Sequence, residues 1–507
     1  MNATLDAPWT SKSTDTIDQR ELALPPTWMT RARPAAERSE LGQDIHESGR
    51  TRGVADAVVA LLDGAGSKCI VSSFLLSDTA IEDAMLRAAG RGVRVYVLLA
   101  SEARLGNEQG DGEFDKLVLK THIDMLTRLG GHVLMRSASH FHAKVVVTDP
   151  DSRPAGILLT ANLTTDALQR NDELAVRLHE SEVRELTALL KWAMWESAEH
   201  ELLDPRDRFK AVQPLGSVPH PEAMTGVVAT TAQANSLRAE ALRLVNAATT
   251  RIVVSSFGWD HDHEVVQRLC QRARDGLALT VLARLRPASM PALLALAEAG
   301  ATVLAFKWLH AKAIWTDQGE ALVMSANVQF DGLDRGFELG VRLAGERAHE
   351  LRQRLETWSE AAPWHLLPRP RLGALVGAAK LWRDGQLVDI DIAPSKAIDL
   401  GAVTAASADV LQAPMPRLPM SGTLAHTAHE LHCSWSVMAP TLAPKARQVH
   451  RPASADQPAA PYAPPLYREP DGRMVVAVTS PSELPQARSV MAETGASAIV
   501  LAQGSQR

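Results

Sequence analysis

Two α/β halves related by an internal repeat, with a further C-terminal region beyond them, are what this sequence predicts. Three observations lead there. The stretch Phe141-His142-Ala143-Lys144-Val145-Val146-Val147-Thr148-Asp149 returns as Leu309-His310-Ala311-Lys312-Ala313-Ile314-Trp315-Thr316-Asp317. The echo continues with Thr160-Ala161-Asn162 and Ser325-Ala326-Asn327, then with Glu173 and Glu338, each at the same distance after its Asn. In both copies apolar runs of strand length alternate with helix-patterned segments, which implies layered α/β halves. The offset of roughly 170 residues suits duplicated domains and is far too long for a solenoid repeat.

Taken in order, residues 1–52 are polar, with Pro25-Pro26 and scattered arginines, and read as a loosely docked N-terminal extension ending in one helix. The first half covers 53–204. Val54–Leu62 has helical spacing, Cys69–Phe74 reads as a strand, and Ser77–Arg91 as a helix capped by Asp78 or Thr79. Gly92–Leu99 is a second strand, Phe114–Leu129 a helix, His132–Met135 a short strand, and His142–Thr148 the motif strand. The amphipathic helix Glu182–Ala198 closes this half, and Pro-, Gly- and Thr-rich residues 205–236 read as a linker.

The second half, 237–360, repeats the order. Helix Ala239–Ala248 precedes strand Arg251–Phe257, and Val-Ser-Ser-Phe stands at both 71–74 and 254–257. Helix His263–Arg274, strand Leu277–Ala283, helix Met290–Ala299 and strand Thr302–Phe306 lead to the motif strand Ala311–Trp315; Glu346–Trp358 is the closing helix. Residues 361–411 read as a β-rich extension whose hairpin turns at Asp384-Gly385. Pro- and Ala-rich residues 412–470 read as a linker, and 471–507 as a small β-α-β segment.

Composition narrows the class. The 507 residues allow two or three domains, and 46% hydrophobic with 22% charged content is ordinary for a globular protein. A net charge of −6 supplies no overall basic field, so contact with nucleic acid or anionic lipid has to be local. Cys69, Cys270 and Cys433 lie far apart, which makes no disulfide framework and fits a reducing compartment. The first two sit in apolar contexts and read as packing residues. With no run of about 18 apolar residues and no signal-peptide core, a cytoplasmic protein without stable membrane insertion is expected.

The chemistry lies in the repeat. Residues two apart on a strand share a face, so each His-x-Lys pair directs an imidazole and an ammonium into one space, a receptor for phosphate. One half supplies one His, one Lys, one Asn and one Glu. Cleaving a phosphodiester takes a nucleophile at phosphorus and an acid for the departing oxygen, and two imidazoles on opposite sides of one phosphate supply both. The halves are therefore expected to pack about a pseudo-twofold axis that brings His142 and His310 to one pocket. Lys144, Lys312, Asn162 and Asn327 would hold the non-bridging oxygens in place of a metal. Glu173 and Glu338 would each accept from the far nitrogen of an imidazole. Thr160 and Ser325 either reach the pocket or satisfy the turn before Asn, and Asp149 and Asp317 are expected to be structural residues at the strand ends.

The His-x-Lys-x4-Asp motif, with its hydroxyl-x-Asn element, resembles the signature of the phospholipase D superfamily over about residues 54–345. The second copy keeps the family spacing. The first carries a turn insertion at Pro150–Pro154, and Leu159 and Met324 stand where the family has glycine. The resemblance implies two phospholipase D-type α-β-α sandwich halves, a phosphohistidine intermediate, His142 as nucleophile and His310 as acid. It implies no cofactor and no metal, and a single chain suffices for the site. The expected activity is that of a metal-independent phosphodiesterase, a nuclease of DNA processing or defence, with nucleic acid as partner and substrate. A phospholipase or transphosphatidylase is the rival enzyme, and a non-catalytic scaffold bound to a partner protein the rival of another class.

Weaker candidates complete the reading. Trp308 and Trp315 flank the second motif and Trp259 follows the first strand of that half, with Trp308 able to border the pocket and Trp315 favoured as core. Arg91, Arg94, Arg284 and Arg286 line a polyanion path or, more simply, a solvated face. His261 and His263, on the loop after the second Val-Ser-Ser-Phe, either reach the pocket or, the favoured reading, sit on a surface loop. His426, His429, His432 and Cys433 have helical metal-ligand spacing in a region that offers no second cluster.

Overall fold

The computed structural model describes residues 26–31, 43–48, 52–107, 113–202, 204, 209–222, 224–370, 377–383, 385–392, 442–443, 445–453, 458–479 and 481–502. The chain divides into two compact units, Ala32–Trp364 and a second built from Met1–Arg31 with His365–Arg507.

Both halves of the repeat lie in the first unit. The first-half sheet runs Lys210–Ala211, His200–Leu202, Leu134–Ala138, Arg94–Ala100, Lys68–Ser73, Val145–Thr148, Ala155–Leu159, Leu174–Arg177, Ile45–Glu47. Lys68–Ser73, Arg94–Ala100 and Leu134–Ala138 are parallel, and the motif strand Val145–Thr148 joins them antiparallel. In the second half the order Val227–Thr230, Glu338–Ala344, Glu320–Met324, Ala313–Thr316, Arg251–Ser256, Ala278–Arg284, Thr302–Phe306 repeats this plan. Its parallel core and antiparallel motif strand match the first half strand for strand. The fold is α/β, with two like halves.

The motif strands are unbroken apolar runs because both their faces are covered. Val146 packs into the cluster formed with helices Gly53–Gly64 and Thr79–Gly90. Ala143, Val145 and Val147 face the opposite way, into a core that also holds Ala311, Ala313 and Trp315 of the second half. That shared core is completed by Leu186, Leu189 and Leu190 of helix Glu180–Trp192 and by Leu351, Leu355 and Trp358 of helix Gly345–Ala361. Each such side chain, fully buried, contributes about 1.5–3 kcal/mol. The same two helices are joined by a buried ion pair, Arg347 Nη1 to Glu182 Oε1 at 2.7 Å. Cys69 and Cys270 are buried, and burial pushes the Cys69 thiol up to about 12.

Several stretches differ from expectation. Within 1–52, Ile45–Glu47 is a buried strand on the edge of the first sheet, paired with Leu174–Arg177 rather than forming a tail. Within 205–236, Val227–Thr230 is an edge strand against Glu338–Ala344. Edge pairing supplies hydrogen bonds that a short, turn-rich segment could not make alone, and no local periodicity announces it. Helix Glu180–Trp192 ends in a π turn, Ala193–Ser197, instead of continuing to Ala198.

In the second unit, Thr27–Thr30 pairs with Gly377–Arg383, which forms the expected hairpin with Gln386–Ile392. Within 412–470, the described strands Arg447–Arg451 and Ala460–Arg468 depart from the linker reading and extend the sheet of Met474–Val478 and Ala498–Leu501, while 412–441 lie outside the described residues. The last two strands are parallel and joined by helix Leu484–Thr494. His426, His429, His432 and Cys433 lie outside the described residues.

Candidate active site

Each motif is anchored at both ends by its own half. At its start, Ser72 Oγ donates to the carbonyl of Ala143 at 3.0 Å and Ser255 Oγ to that of Ala311 at 2.9 Å, fixing the backbone between His and Lys. These are serines of the repeated Val-Ser-Ser-Phe. At its end, Asp149 accepts from the backbone N–H groups of Gly66, Ser67 and Lys68 at 2.7–3.0 Å. Asp317 accepts from the amides and hydroxyls of Thr249 and Thr250. These bonds hold both carboxyls below the usual carboxylate range against the opposing effect of burial. Neither Asp borders the cavity.

The halves meet through backbone. His142 N–H donates to the Phe337 carbonyl at 3.2 Å and Phe337 N–H to that of His140 at 2.7 Å. In the mirrored place, the N–H groups of His310 and Ala311 both donate to the Asp172 carbonyl at 2.9 Å. Phe337 and Asp172 each immediately precede a Glu of the repeat. Pairing them with the opposite motif delivers each Glu to the opposite histidine. His142 Nδ1 lies 2.5 Å from Glu338 Oε1, and His310 Nδ1 lies 2.7 Å from Glu173 Oε1. Each carboxylate is oriented in turn by a hydroxyl: Thr160 Oγ1 donates to Glu173 Oε2 at 2.6 Å, and Ser325 Oγ donates to Glu338.

His142, His310, Asn162, Asn327 and Glu338 border one cavity of about 730 Å³. Lys144 and Lys312 are fully buried beneath it, each with Nζ against both ring nitrogens of its own histidine, at 2.8 and 3.2 Å and at 2.7 and 3.2 Å. Lys312 Nζ also donates across the halves to the Thr160 carbonyl at 3.3 Å. The buried Oδ1 atoms of Asn162 and Asn327 have no hydrogen-bond partner among the described residues.

Burial lowers His142, an effect that Glu338 opposes, and brings His310 down to about 4 and Lys312 to about 7. Glu173 and Glu338 are lowered, because the charges of the neighbouring His and Lys outweigh the upward push of burial. At neutral pH the arrangement is therefore two neutral imidazoles backed by two carboxylates. Their Nδ1 atoms face the carboxylates, and each Nε2 lies 3.2 Å from the Nζ of its own lysine.

The expected residues thus divide. The two His, two Asn and Glu338 border the cavity, whereas both Lys and Glu173 stand directly behind it. Thr160 and Ser325 point to the glutamates, not into the cavity. Trp308 does not border it: Arg170 and Arg284 stack on the ring at 4.3 and 5.0 Å. Trp315 is core, and Trp259 is buried with Nε1–H donating to the Ser256 carbonyl at 3.0 Å. His263 caps helix Glu264–Arg274 and bonds Asp334, while His261 is exposed beside Asp262.

Sequence reasoning missed Phe74 and Phe257, whose rings meet His142 and His310 edge-on with centroids 4.8 and 4.7 Å apart. Their signal was present, as the last residue of each Val-Ser-Ser-Phe. Also missed were Arg104 and Arg335 on the cavity rim, both close to Asp331. Arg335 repeats Arg170, each eight residues after the Asn of its copy, which was the signal available for it.

Residues 58–195 match the family model described as "Cardiolipin synthase, PLD-like domain". Among curated proteins, none matches this chain. Among solved structures, a phosphatidylserine synthase of Haemophilus influenzae Rd KW20 aligns at 12% identity and a TM-score of 0.49, covering 68% of this chain and 90% of its own. A polyphosphate kinase of Porphyromonas gingivalis aligns at 15% and 0.42, covering 62% of this chain. This chain spans about half of that kinase, 49%. Nuc of Salmonella typhimurium, a phospholipase D family member, aligns at 18% and 0.24, covering 26% of this chain and 94% of its own.

Proposed function

We propose, from the match of residues 58–195 to a PLD-like domain, that the chain is a phospholipase D-type, metal-independent phosphodiesterase that cleaves nucleic acid through a phosphohistidine. The observation that supports this reading is the convergence of two crossed His–Glu pairs on one cavity.

In this mechanism neutral His142 attacks phosphorus through Nε2. The P–O bond on the far side breaks, and the departing oxygen takes a proton from His310. Burial keeps His310 neutral in the empty cavity, and an anionic phosphodiester seated between the rings raises it, so that the pair titrates as a unit. Glu338 balances the charge that grows on His142. Lys144 and Lys312, with the two Asn amides, stabilise the charge on the non-bridging oxygens. Water then attacks the phosphohistidine, His310 accepts its proton, and His142 is released.

Nucleic acid is favoured because the rim carries Arg104, Arg286 and Arg335, while only Ile123, Leu215 and Phe330 are exposed large apolar side chains among the described residues. A second reading, a phosphatidyl-transferring enzyme, is favoured by the lipid synthase in the family model's description. Among the described residues no helix is long and apolar enough to cross a membrane.

The test is nicking of plasmid and of single-stranded DNA in excess EDTA. Nicking that is lost in His142→Ala supports the nuclease. Headgroup release from phosphatidyl lipids without nicking supports the lipid enzyme. Neither activity, with a tightly co-purifying protein, supports a scaffold.

A further inference from the structure

Beyond the His pair, two arginines stand out. Arg284 ends strand Ala278–Arg284 and Arg286 lies two residues beyond, both half-buried, and among the described residues their guanidinium groups have no ion pair and no side-chain hydrogen bond. Aromatic rings hold them instead. Arg286 lies over Phe257 at 4.2 Å, and Arg284 over Phe257 at 5.2 Å and over Trp308 at 5.0 Å. Phe257 is the ring that packs against His310, and both Phe257 and Arg286 border the cavity.

Two guanidinium groups this close repel each other, and burial with that repulsion lowers Arg284. The carboxylates that Arg284 senses, Glu173 and Asp172, lie beyond ion-pair distance, and Glu173 is engaged by His310. Asp260, which Arg286 senses, accepts from Gln329 Nε2 and Phe330 N–H. Holding two unneutralised cations side by side costs stability, and an arriving anion would relieve that cost.

The repeat shows that this is one-sided. Ser73 is in register with Leu99, as Ser256 is with Ala283. Ala100 and Glu102 therefore occupy in the first half the positions of Arg284 and Arg286. The copy that should be equivalent carries one neutral residue and one acid.

We infer that Arg284 and Arg286 form a second phosphate subsite beside His310, which takes the adjoining phosphate of a polynucleotide strand leaving the cavity on that side only. This rests on the reading of the His pair as a phosphodiesterase site. Planar guanidinium groups stacked on rings present their N–H edges to a phosphate with little freedom left to lose.

The test compares a fluorescein-labelled single-stranded DNA 12-mer with bis(p-nitrophenyl) phosphate, which has no neighbouring phosphate, in EDTA. For Arg284→Gln/Arg286→Gln the expected result is a KM for the 12-mer raised at least tenfold. The preference for 12-mer over the small ester, as a ratio of kcat/KM values, should fall at least tenfold, with partial recovery in Arg284→Lys/Arg286→Lys. An unchanged ratio overturns the subsite. If wild type cleaves neither compound, the reading of the His pair falls, and the subsite is then judged by binding alone. In a His142→Ala background, fluorescence anisotropy with the 12-mer should weaken at least tenfold on adding the two Gln substitutions, and no change overturns it. Binding to phosphatidylglycerol vesicles but not to the 12-mer overturns the polynucleotide assignment.

Discussion

Each histidine of the pair is bonded through Nδ1 to a carboxylate from the other half, so replacing one glutamate acts on a residue far away in sequence. Glu338→Gln keeps the shape and removes the charge that balances His142. The expected loss in kcat is about 10²-fold or more, read by rapid-quench labelling of the phosphohistidine. Under the proposed mechanism, Glu173→Gln acts on His310, the proton donor, instead. Its defect should shrink with a p-nitrophenyl ester, whose leaving group needs no proton, whereas that of Glu338→Gln should not. The opposite pattern would exchange the roles of the two histidines.

Lys312 gives the pH dependence. Burial lowers it to about 7, so the ammonium that would meet an anionic substrate in the proposed mechanism is lost as pH rises through that value. The kcat/KM profile should therefore fall above about pH 7, while the limb in kcat, where bound anion raises Lys312, lies higher. Arginine stays charged throughout this range, so Lys312→Arg should remove the limb. A limb that survives in that variant assigns it elsewhere.

At the level of elements, the motif strands are tied down by their terminal aspartates. Asp149 has φ of 45° and accepts three backbone N–H bonds. Asn tolerates the left-handed region, so Asp149→Asn keeps the backbone while removing the charge and replacing one accepting oxygen with a donor. The expected cost is roughly 1–3 kcal/mol in urea unfolding. Because folding lowers this carboxyl, its contribution is complete above the unfolded value of about 4 and disappears as pH falls through the folded one. The acid-side decline in wild-type stability should therefore flatten in Asp149→Asn.

At the level of the molecule, the site exists only where the halves meet, and the two closing helices are joined by the buried charge pair of Arg347 with Glu182. Arg347 also donates to the Arg177 carbonyl at 2.9 Å. Arg347→Ala leaves Glu182 buried and unpaired, which should cost about 3–5 kcal/mol in urea or thermal unfolding. Activity should be lost together with the folded fraction, since neither His–Glu pair lies within one half. A stable but inactive variant would count against that coupling.

The sequence by itself determined the duplication, the α/β alternation, the motif strands and the His, Lys, Asn and Glu of each copy. Those signals are local: periodicity, β-branched runs and repeated spacing along one chain. Only the tertiary structure decided that Glu338 serves His142 and Glu173 serves His310, because that follows from Phe337 and Asp172 pairing with the opposite motif. It also turned Thr160 and Ser325 toward the glutamates, drew Ile45–Glu47 and Val227–Thr230 into sheet edges, and covered Trp308 with arginines. Each of these is a contact between segments distant along the chain. Such contacts are selected by which backbone groups and side chains remain unpaired once the strands have formed, and no single stretch of sequence records them.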